Sequence, residues 1–205
     1  MASSCAHSIF IAVHYQNDIL HPDSKFHVGV AQVSDRRTNV IAAAHRLLES
    51  ARKHRIPIIH ARIAFAADHA NLVANCTLFR KVKAAGVLLD GSWGAEFYAG
   101  FAPLLGEGVV THTRNNAFYK TSLESLIGEQ GASHLIIAGI ATNYAVEHTA
   151  RHAVDLGYVV TVVSDASTTA DLALHEASLR SLALLADVKS TDEVVEGFAS
   201  VGSPA

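Results

Sequence analysis

The sequence predicts a three-layer α/β/α fold built on a six-stranded, mainly parallel sheet. Short runs rich in β-branched residues alternate with longer segments of helical periodicity, which is the pattern of parallel βαβ units. The strand runs are almost continuously apolar, as expected for strands covered on both faces. With 205 residues, of which 50% are hydrophobic, the chain can bury one full core. We therefore expect a single domain over residues 1–205, with a loose tail at 197–205.

The strands share a short apolar core bounded by turn-forming or polar residues. They are predicted at residues 9–13, 57–62, 108–111, 134–138, 158–164 and 186–190.

The helices lie between these strands. Ser34 or Asp35 is the expected N-cap of the first, and its apolar residues recur at helical spacing through residue 54. Gly157 is the expected C-terminal stop of the helix that follows the fourth strand. The helices are predicted at residues 34–54, 122–129, 143–156 and 171–185.

The composition limits the classes of partner that the protein is expected to bind. The formal net charge is -3, and acidic and basic residues are interspersed, so no basic surface for nucleic acid is predicted. The longest apolar runs fall far short of the ~20 residues that span a bilayer, and we expect no membrane partner. Cys5 and Cys76 form no disulfide framework, and the first residues lack the order of a secretory signal. A cytoplasmic protein acting on a small molecule is expected, with no cofactor.

Three positions follow three different predicted strands. His14 follows the first strand, His112 the third, and Ala145 lies just beyond the fourth. In open parallel sheets, ligands bind beyond the carboxyl ends of the strands, where the strand order reverses. These positions are therefore predicted to share one pocket.

Several segments resemble the isochorismatase-like cysteine hydrolases at matching order and spacing. Residues 139–147, GIATNYAVE, are similar to the family's G-[VI]-x-T-x-x-C-V turn, and residues 14–20, HYQNDIL, to its D-x-Q-N-D-[FL]. Residues 116–121, NAFYKT, resemble its S-A-F-x-x-T segment, which follows a lysine. Residues 90–110 and 149–166 extend the similarity over most of the chain. The resemblance implies the family's Rossmann-like fold, hydrolase chemistry and a homo-oligomer, either dimer or tetramer.

All three positions of the family's catalytic triad differ. The aspartate is replaced by His14, the lysine by His112 and the nucleophilic cysteine by Ala145. Ala145 has no nucleophilic atom, so the family's covalent chemistry cannot run here. Two imidazoles at facing positions can instead act as acid and base near neutral pH.

Other features of the site are implied by the resemblance. They include a cis peptide between Ile140 and Ala141, and an oxyanion hole formed by the backbone N–H groups of Ala141 and Ala145. The residues implied to line the substrate pocket are Gln16, Trp93, Arg114, Asn116, Phe118, Ile140 and Tyr144.

For several further candidate residues, a structural role is an alternative to a functional one. His148 and His152 lie four residues apart on one helix face, a spacing used by metal sites, although we predict no metal. Arg114 either braces its turn or binds a substrate carboxylate. Cys76 is not expected to be a nucleophile. A lid loop is predicted around His21, Pro22, Asp23 and His27.

Two functions from different classes remain open. The first is a hydrolase without a cysteine nucleophile, which uses the histidine pair and the oxyanion hole to direct water onto a small polar amide, imide or enol ether. The second is a catalytically inactive relative that binds a small molecule or assists assembly. Turnover would separate them.

Overall fold

The computed structural model describes residues 7–26, 30 and 34–201. Its strands are β1 (Ser8–Val13), β2 (Ile58–Ile63), β3 (Gly108–His112), β4 (His134–Gly139), β5 (Val159–Val163) and β6 (Asp187–Lys189). Its helices are α1 (Asn17–Leu20), α2 (Ser34–Lys53), α3 (Thr77–Ala85), α4 (Leu123–Glu129), α5 (Glu147–Asp155), α6 (Leu172–Leu182) and α7 (Thr191–Val201). A π-helical turn, Thr142–Val146, leads directly into α5.

The six strands form one parallel sheet in the order β3-β2-β1-β4-β5-β6. The chain builds outward from β1 to β3, then returns to place β4 on the other side of β1. The carboxyl ends of β1 and β4 therefore flank the point where the strand order reverses, which is where ligands bind in such sheets. This confirms the predicted α/β architecture.

Alternate residues of each central strand face the two sides of the sheet. On β1, Phe10 and Ala12 pack with α2, α3 and α7, whereas Ile9, Ile11 and Val13 pack with α4, α5 and α6. All five side chains are at most 2% exposed. Two buried layers over one sheet make the three-layer fold that continuous apolar strands predict.

The predicted elements agree with the structure to within a few residues at their ends. Asp171 caps α6 with its carboxylate, which accepts from the N–H groups of Ala173 and Leu174, and Gly157 follows α5 with a φ of 90°. Three helices were not predicted, namely α1, α3 and α7. α3 carries its own signals, because Phe79 and Val82 are buried at helical spacing and Gly86 ends it at a φ of 65°.

The predicted loose tail at residues 197–205 is wrong in its first part. α7 runs through this region to Val201. Phe198, on α7, is 1% exposed and belongs to the core beside α2, so burial of its ring fixes the segment. Residues 202–205, Cys5 and His27 of the predicted lid loop lie outside the described residues. Within the described ranges, no helix combines the length and apolarity needed to cross a membrane.

Candidate functional site

A small cavity lies at the carboxyl ends of three strands. His14 follows β1, Ile63 ends β2, and Ala141 and Ala145 follow β4. The cavity volume is about 40 Å³. At ~10–15 Å³ for each water-sized group, it has room for roughly three such groups. Its lining is mostly apolar: Ile19, Phe26, Ile63, Leu78, Phe79, Val82, Leu88, Ile140, Ala141, Tyr144 and Ala145, together with His14 and Asn115.

The backbone at the end of β1 orients His14. Its N–H donates to the carbonyl of Ala61 at 2.9 Å, and its carbonyl accepts from the N–H of Gln16 at 2.8 Å. Between these bonds, His14 adopts a φ of 57°, a left-handed conformation that is uncommon for a residue with a side chain. Such backbone outliers occur often at functional sites.

His14 and His112 form a buried hydrogen-bonded pair. Their Nε2 atoms are 2.8 Å apart, and the two rings are stacked with centroids 4.8 Å apart. The side chains are 4% and 2% exposed. The two rings are therefore in direct contact, although His14 and Ala145 line the cavity and His112 does not.

The carbonyl of Arg114 fixes the direction of the hydrogen bonds. It lies 2.6 Å from Nδ1 of His112, so that nitrogen must donate. In a neutral imidazole, the other nitrogen, Nε2, is then an acceptor. On this basis we assign the proton of the shared hydrogen bond to Nε2 of His14. Nδ1 of His14 is then unprotonated and can accept a proton.

Both rings are neutral at pH 7. Burial lowers the pKa of His112 to about 4, although its hydrogen bond to the Arg114 carbonyl opposes this shift. Burial and the neighbouring His112 lower the pKa of His14 well below its ordinary value, and the backbone carbonyl of Ile140 opposes the shift. The pair therefore remains a base at neutral and mildly acidic pH.

This electrostatic state predicts acid sensitivity of the fold. A histidine whose pKa is lowered on folding binds protons more readily when unfolded, so stability is full above about pH 6.5 and falls as the pH drops from there towards 4. Each such histidine contributes a slope of up to about 1.4 kcal/mol per pH unit. His112→Gln should flatten the slope of unfolding free energy between pH 6.5 and 4.5, measured by urea unfolding. An unchanged slope would contradict the buried, neutral state of His112.

The turn after β4 carries the backbone donors. Gly139 has a φ of 151°, and the peptide between Ile140 and Ala141 is cis, as the resemblance implied. The carbonyl of Ala141 accepts from Tyr144 and Val146 rather than from Ala145, which is the π-helical pattern. The Ala141 N–H has no protein acceptor among the described residues. His14, Ala141 and Ala145 all line the cavity, so the His14 ring and this turn border one space.

Helix α6 holds this turn through polar contacts. The Thr142 hydroxyl is 2.8 Å from Nδ1 of His175, and the Ser178 hydroxyl donates to Glu147 at 2.5 Å. Thr142 is fully buried and Ser178 is 4% exposed. These bonds fix the register between α6 and the segment that carries Ala145.

Of the seven pocket residues that the resemblance implied, Ile140 and Tyr144 line the cavity and the others do not. Gln16 is fully buried and holds β1 to β2, because its amide bonds both the N–H and the carbonyl of Ile63. Trp93 is 48% exposed and meets the ring of His21 edge-on. Phe118 packs in the core on the opposite face of the sheet, against His152.

Arg114 and Asn116 lie outside the cavity, in a neighbouring outer depression. This depression has a volume of about 290 Å³ and is lined by Phe79, Arg114, Asn115, Asn116, Tyr119 and His148. Arg114 donates to the carbonyl of Val73 and to the side chain of Asn75, and its guanidinium lies 4.3 Å from the centre of the Phe79 ring. It therefore braces the loop before α3 and not its own turn.

Sequence reasoning missed the contribution of α3 and of Asn115. Leu78, Phe79 and Val82 of α3 form one wall of the cavity, and Asn115 borders both the cavity and the outer depression. The apolar spacing within residues 77–85 was the available signal for the helix. No local pattern distinguishes Asn115 from its neighbour Asn116.

Four further residues, among them Asp18 of the segment 14–20, do not line the cavity. Asp18 is buried and its carboxylate accepts from the N–H of Leu88 at 2.8 Å. Nδ1 of His148 is 2.8 Å from the carbonyl of Tyr144, and no third ligand joins His148 and His152 within the part of the chain that the structure describes. Cys76 is exposed at the start of α3 and does not line the cavity.

Comparison with known proteins finds relatives that match a large part of the chain. The chain is 34% identical over 114 residues to the ureidoacrylate amidohydrolase RutB of Variovorax paradoxus, a match that covers 55% of this chain and 45% of that protein. The match thus spans only about half of the relative. The chain is also 31% identical over 163 residues to the isochorismatase family protein YwoC of Bacillus subtilis. This match covers 79% of this chain and 85% of that protein.

The same fold occurs in solved structures. A cysteine hydrolase from Pseudomonas syringae pv. phaseolicola superimposes with a TM-score of 0.85 at 21% identity, over 95% of this chain and 93% of that one. The family model described as the isochorismatase domain matches residues 8–193, which include the histidine pair and the whole turn after β4. The chain therefore belongs to the isochorismatase family.

Proposed function

We propose that this protein is a hydrolase that directs water onto a small carbonyl substrate without a covalent intermediate. An amide is the favoured class, with imides and enol ethers as the other members considered. The family consists of hydrolase-like proteins, and a relative carries the name of an amidohydrolase. The single observation that carries the proposal is that His14 shares one cavity with the backbone of Ala141 and Ala145.

The proposed reaction needs only water and these groups. Nδ1 of His14 takes a proton from water while the water oxygen bonds to the carbonyl carbon. The N–H groups of Ala141 and Ala145 stabilise the negative charge that forms on the carbonyl oxygen. The carbon–nitrogen bond then breaks, and the leaving nitrogen receives the proton held by His14. The products are a carboxylic acid and an amine.

The second imidazole supports the first. When His14 becomes a cation, the carbonyl of Ile140 stabilises the charge, and the proton on its Nε2 can shift to His112. His112 would then donate from both nitrogens, one of them to the carbonyl of Arg114. The pair can thus hold the transferred proton without exposing a charge to the apolar cavity.

The lining of the cavity restricts the group that enters it. It contains no lysine, arginine, aspartate or glutamate among the described residues. An unpaired carboxylate would lose its hydration there without compensation, which is strongly unfavourable. The part of the substrate that enters this cavity should therefore be small, uncharged and largely apolar.

The second candidate function is small-molecule binding without turnover. The observation in its favour is that Ala145 supplies no nucleophile in a cavity that can still hold a ligand. The discriminating experiment is a screen of short-chain amides, imides and enol ethers with the full chain, scored for amine or acid release. Release that disappears in His14→Asn supports the hydrolase. Saturable binding with no release in any class would support the binding protein.

Thiol reagents should leave the activity unchanged. Cys76 is exposed and does not line the cavity, and the resemblance places Ala145 at the position of the family's nucleophile. Treatment with iodoacetamide should modify Cys76, detectable by mass spectrometry, without reducing turnover. Cys76→Ser serves as the control for any indirect effect of the modification. Inactivation that substrate prevents would contradict this account of the site.

A further inference from the structure

The last strand of the sheet, β6, has a free outer edge. Among the described strands it pairs only with β5. The carbonyl of Lys189 accepts from the N–H of Ser164 at 2.8 Å, so the backbone groups of Lys189 point towards β5. Successive residues of a parallel strand alternate in the side to which their backbone groups point, so the N–H and carbonyl of Val188 point away from the sheet. An edge of this kind can pair with a strand of another chain.

The residues on either side of Val188 carry opposite charges. Asp187 and Lys189 share one face of β6, because side chains two residues apart lie on the same side of a strand. Their side chains are 57% and 40% exposed, and Nζ of Lys189 lies 3.6 Å from Oδ2 of Asp187. An exposed ion pair contributes little to stability, so both groups can exchange it for another partner. The order acidic, apolar, basic is complementary to itself when the strand is reversed.

A second copy of β6 that runs antiparallel satisfies all of these groups. With Val188 opposite Val188 of the second copy, the two valines exchange both of their outward N–H···O=C hydrogen bonds. Asp187 then faces Lys189 of the second copy, and the reverse pair forms by symmetry. These two pairs occupy the non-hydrogen-bonded positions, where Cα atoms are about 4.5 Å apart and opposite charges are stabilising. A parallel arrangement would not oppose unlike charges in this way.

The neighbouring residues limit the pairing to Val188. The next outward-facing residues along the edge are Ala186 and Ser190. The N–H of Ala186 donates to the carbonyl of Leu182, and the N–H of Ser190 donates to the carboxylate of Glu193. Neither N–H is free to extend a ladder. The contact is therefore short, and since both copies use the same edge, it closes as a dimer and adds no third chain.

Exposed apolar side chains beside β6 supply further contact area. Leu184 is 87% exposed, Leu185 44% and Val159 51%. All three border one groove of about 500 Å³ at the amino end of β6. Exposed apolar residues that form one patch are typical of interaction surfaces. In an antiparallel arrangement, the carboxyl end of the second β6 lies next to this groove, so its chain can cover the leucines.

We infer that this chain forms a two-fold dimer in which the β6 strands of two copies pair antiparallel about Val188 and join their sheets. The occupant of the edge is a second copy because the charge order of β6 complements itself. Asp187 and Lys189 set the register, and burial at Leu184 and Leu185 adds affinity. None of these residues lines the cavity of His14, so the dimer does not depend on the proposed function.

Charge reversal tests this inference, with the full chain measured by sedimentation over a range of concentrations. The wild-type chain should dimerise. Asp187→Lys alone, or Lys189→Asp alone, opposes like charges twice and should weaken the dimer by about tenfold or more. The two substitutions together exchange the charges and should restore the wild-type affinity. Lys81→Asp, at an exposed lysine on α3, is the matched control and should change nothing.

Hydrogen exchange of the wild-type chain provides a second measurement that needs no variant. The N–H of Val188 should become protected as the dimer forms. The N–H of Val109, which faces outward on the other edge strand, β3, should exchange equally fast at all concentrations. Restored affinity in the double variant together with protection of Val188 supports the inference. A chain that stays monomeric, a dimer that persists in both single variants, or a double variant that does not recover overturns it.

Discussion

Replacing His14 by asparagine or His112 by glutamine is expected to lower turnover by about 10²–10⁴-fold. The Nε2 atoms of the two rings are 2.8 Å apart, so loss of either imidazole removes the base or the group that shares its proton. Asparagine is the better choice at position 14, because His14 has a φ of 57° and asparagine tolerates that conformation. Glutamine suits position 112, since its amide can reach the position of Nε2. The measurement is kcat for any substrate identified by the screen.

The control is His7→Gln, at an exposed histidine outside the cavity, which should retain full activity. Circular dichroism and urea unfolding at pH 7.5 show whether each variant is folded. Turnover within a few-fold of wild type in both site variants would exclude the acid–base mechanism and leave the binding function.

The pH dependence of the same reaction reports the pair as a unit. The lowered pKa of His112, about 4, and the lowered pKa of His14 place the acid limb of the rate profile well below pH 6.5. A rate that stays high as the pH falls to 6 and then declines at lower pH is therefore expected. The apparent values belong to the coupled pair and not to one ring. A limb centred near 6.5 would indicate a solvated histidine instead.

The convergence of the pair could be predicted because strand order alone produces it. His14 and His112 are 98 residues apart, yet each directly follows or ends a parallel strand, and all carboxyl ends of a parallel sheet lie at one edge. The turn at Ala145 was predictable for the same reason, supported by the resemblance over residues 139–147. Local pattern and topology were sufficient for these positions.

The lining of the cavity could not be predicted in this way. Gln16 and Arg114 carry polar groups near the site, and their sequence context does not reveal that the backbone of Ile63 and of Val73 already engages them. Such commitments depend on loop conformation, which the sequence pattern does not specify. The wall formed by α3 lies in a segment outside the recognisable motifs, and its apolar residues become site residues only when the helix packs over β1 and β2.

The pKa values also required the structure. A histidine is ordinarily half-charged near pH 6.5, and the sequence alone suggested an acid and a base that both work near neutrality. Burial of both rings, each at most 4% exposed, removes the solvent that stabilises the cation. The direction of the pair, from His14 to His112 to the carbonyl of Arg114, follows from one backbone oxygen that no side-chain pattern encodes.

Gly139→Ala is expected to destabilise the protein by about 3 kcal/mol or more, or to prevent folding. Gly139 ends β4 with a φ of 151°, which side chains rarely adopt. An added Cβ would overlap the carbonyl oxygen of Val13 and lie 2.8 Å from its carbonyl carbon. Those atoms belong to the β1 backbone directly before His14, so the strand itself would have to move. Relief of the overlap would separate β1 from β4 at the site, so any folded fraction should also lose activity.

Gly128→Ala is the matched control. Gly128 lies in α4, and a Cβ there meets nothing within 4 Å. Alanine is favoured over glycine in a helix by about 0.5–1 kcal/mol, so this variant should be slightly more stable than wild type. Urea unfolding of the two variants at pH 7.5 makes the comparison, with the same chemical change at both positions. If Gly139→Ala were as stable as Gly128→Ala, then β1 and β4 would not approach as closely as they do in the structure. The cavity that His14 and Ala141 both line would then not have the described geometry.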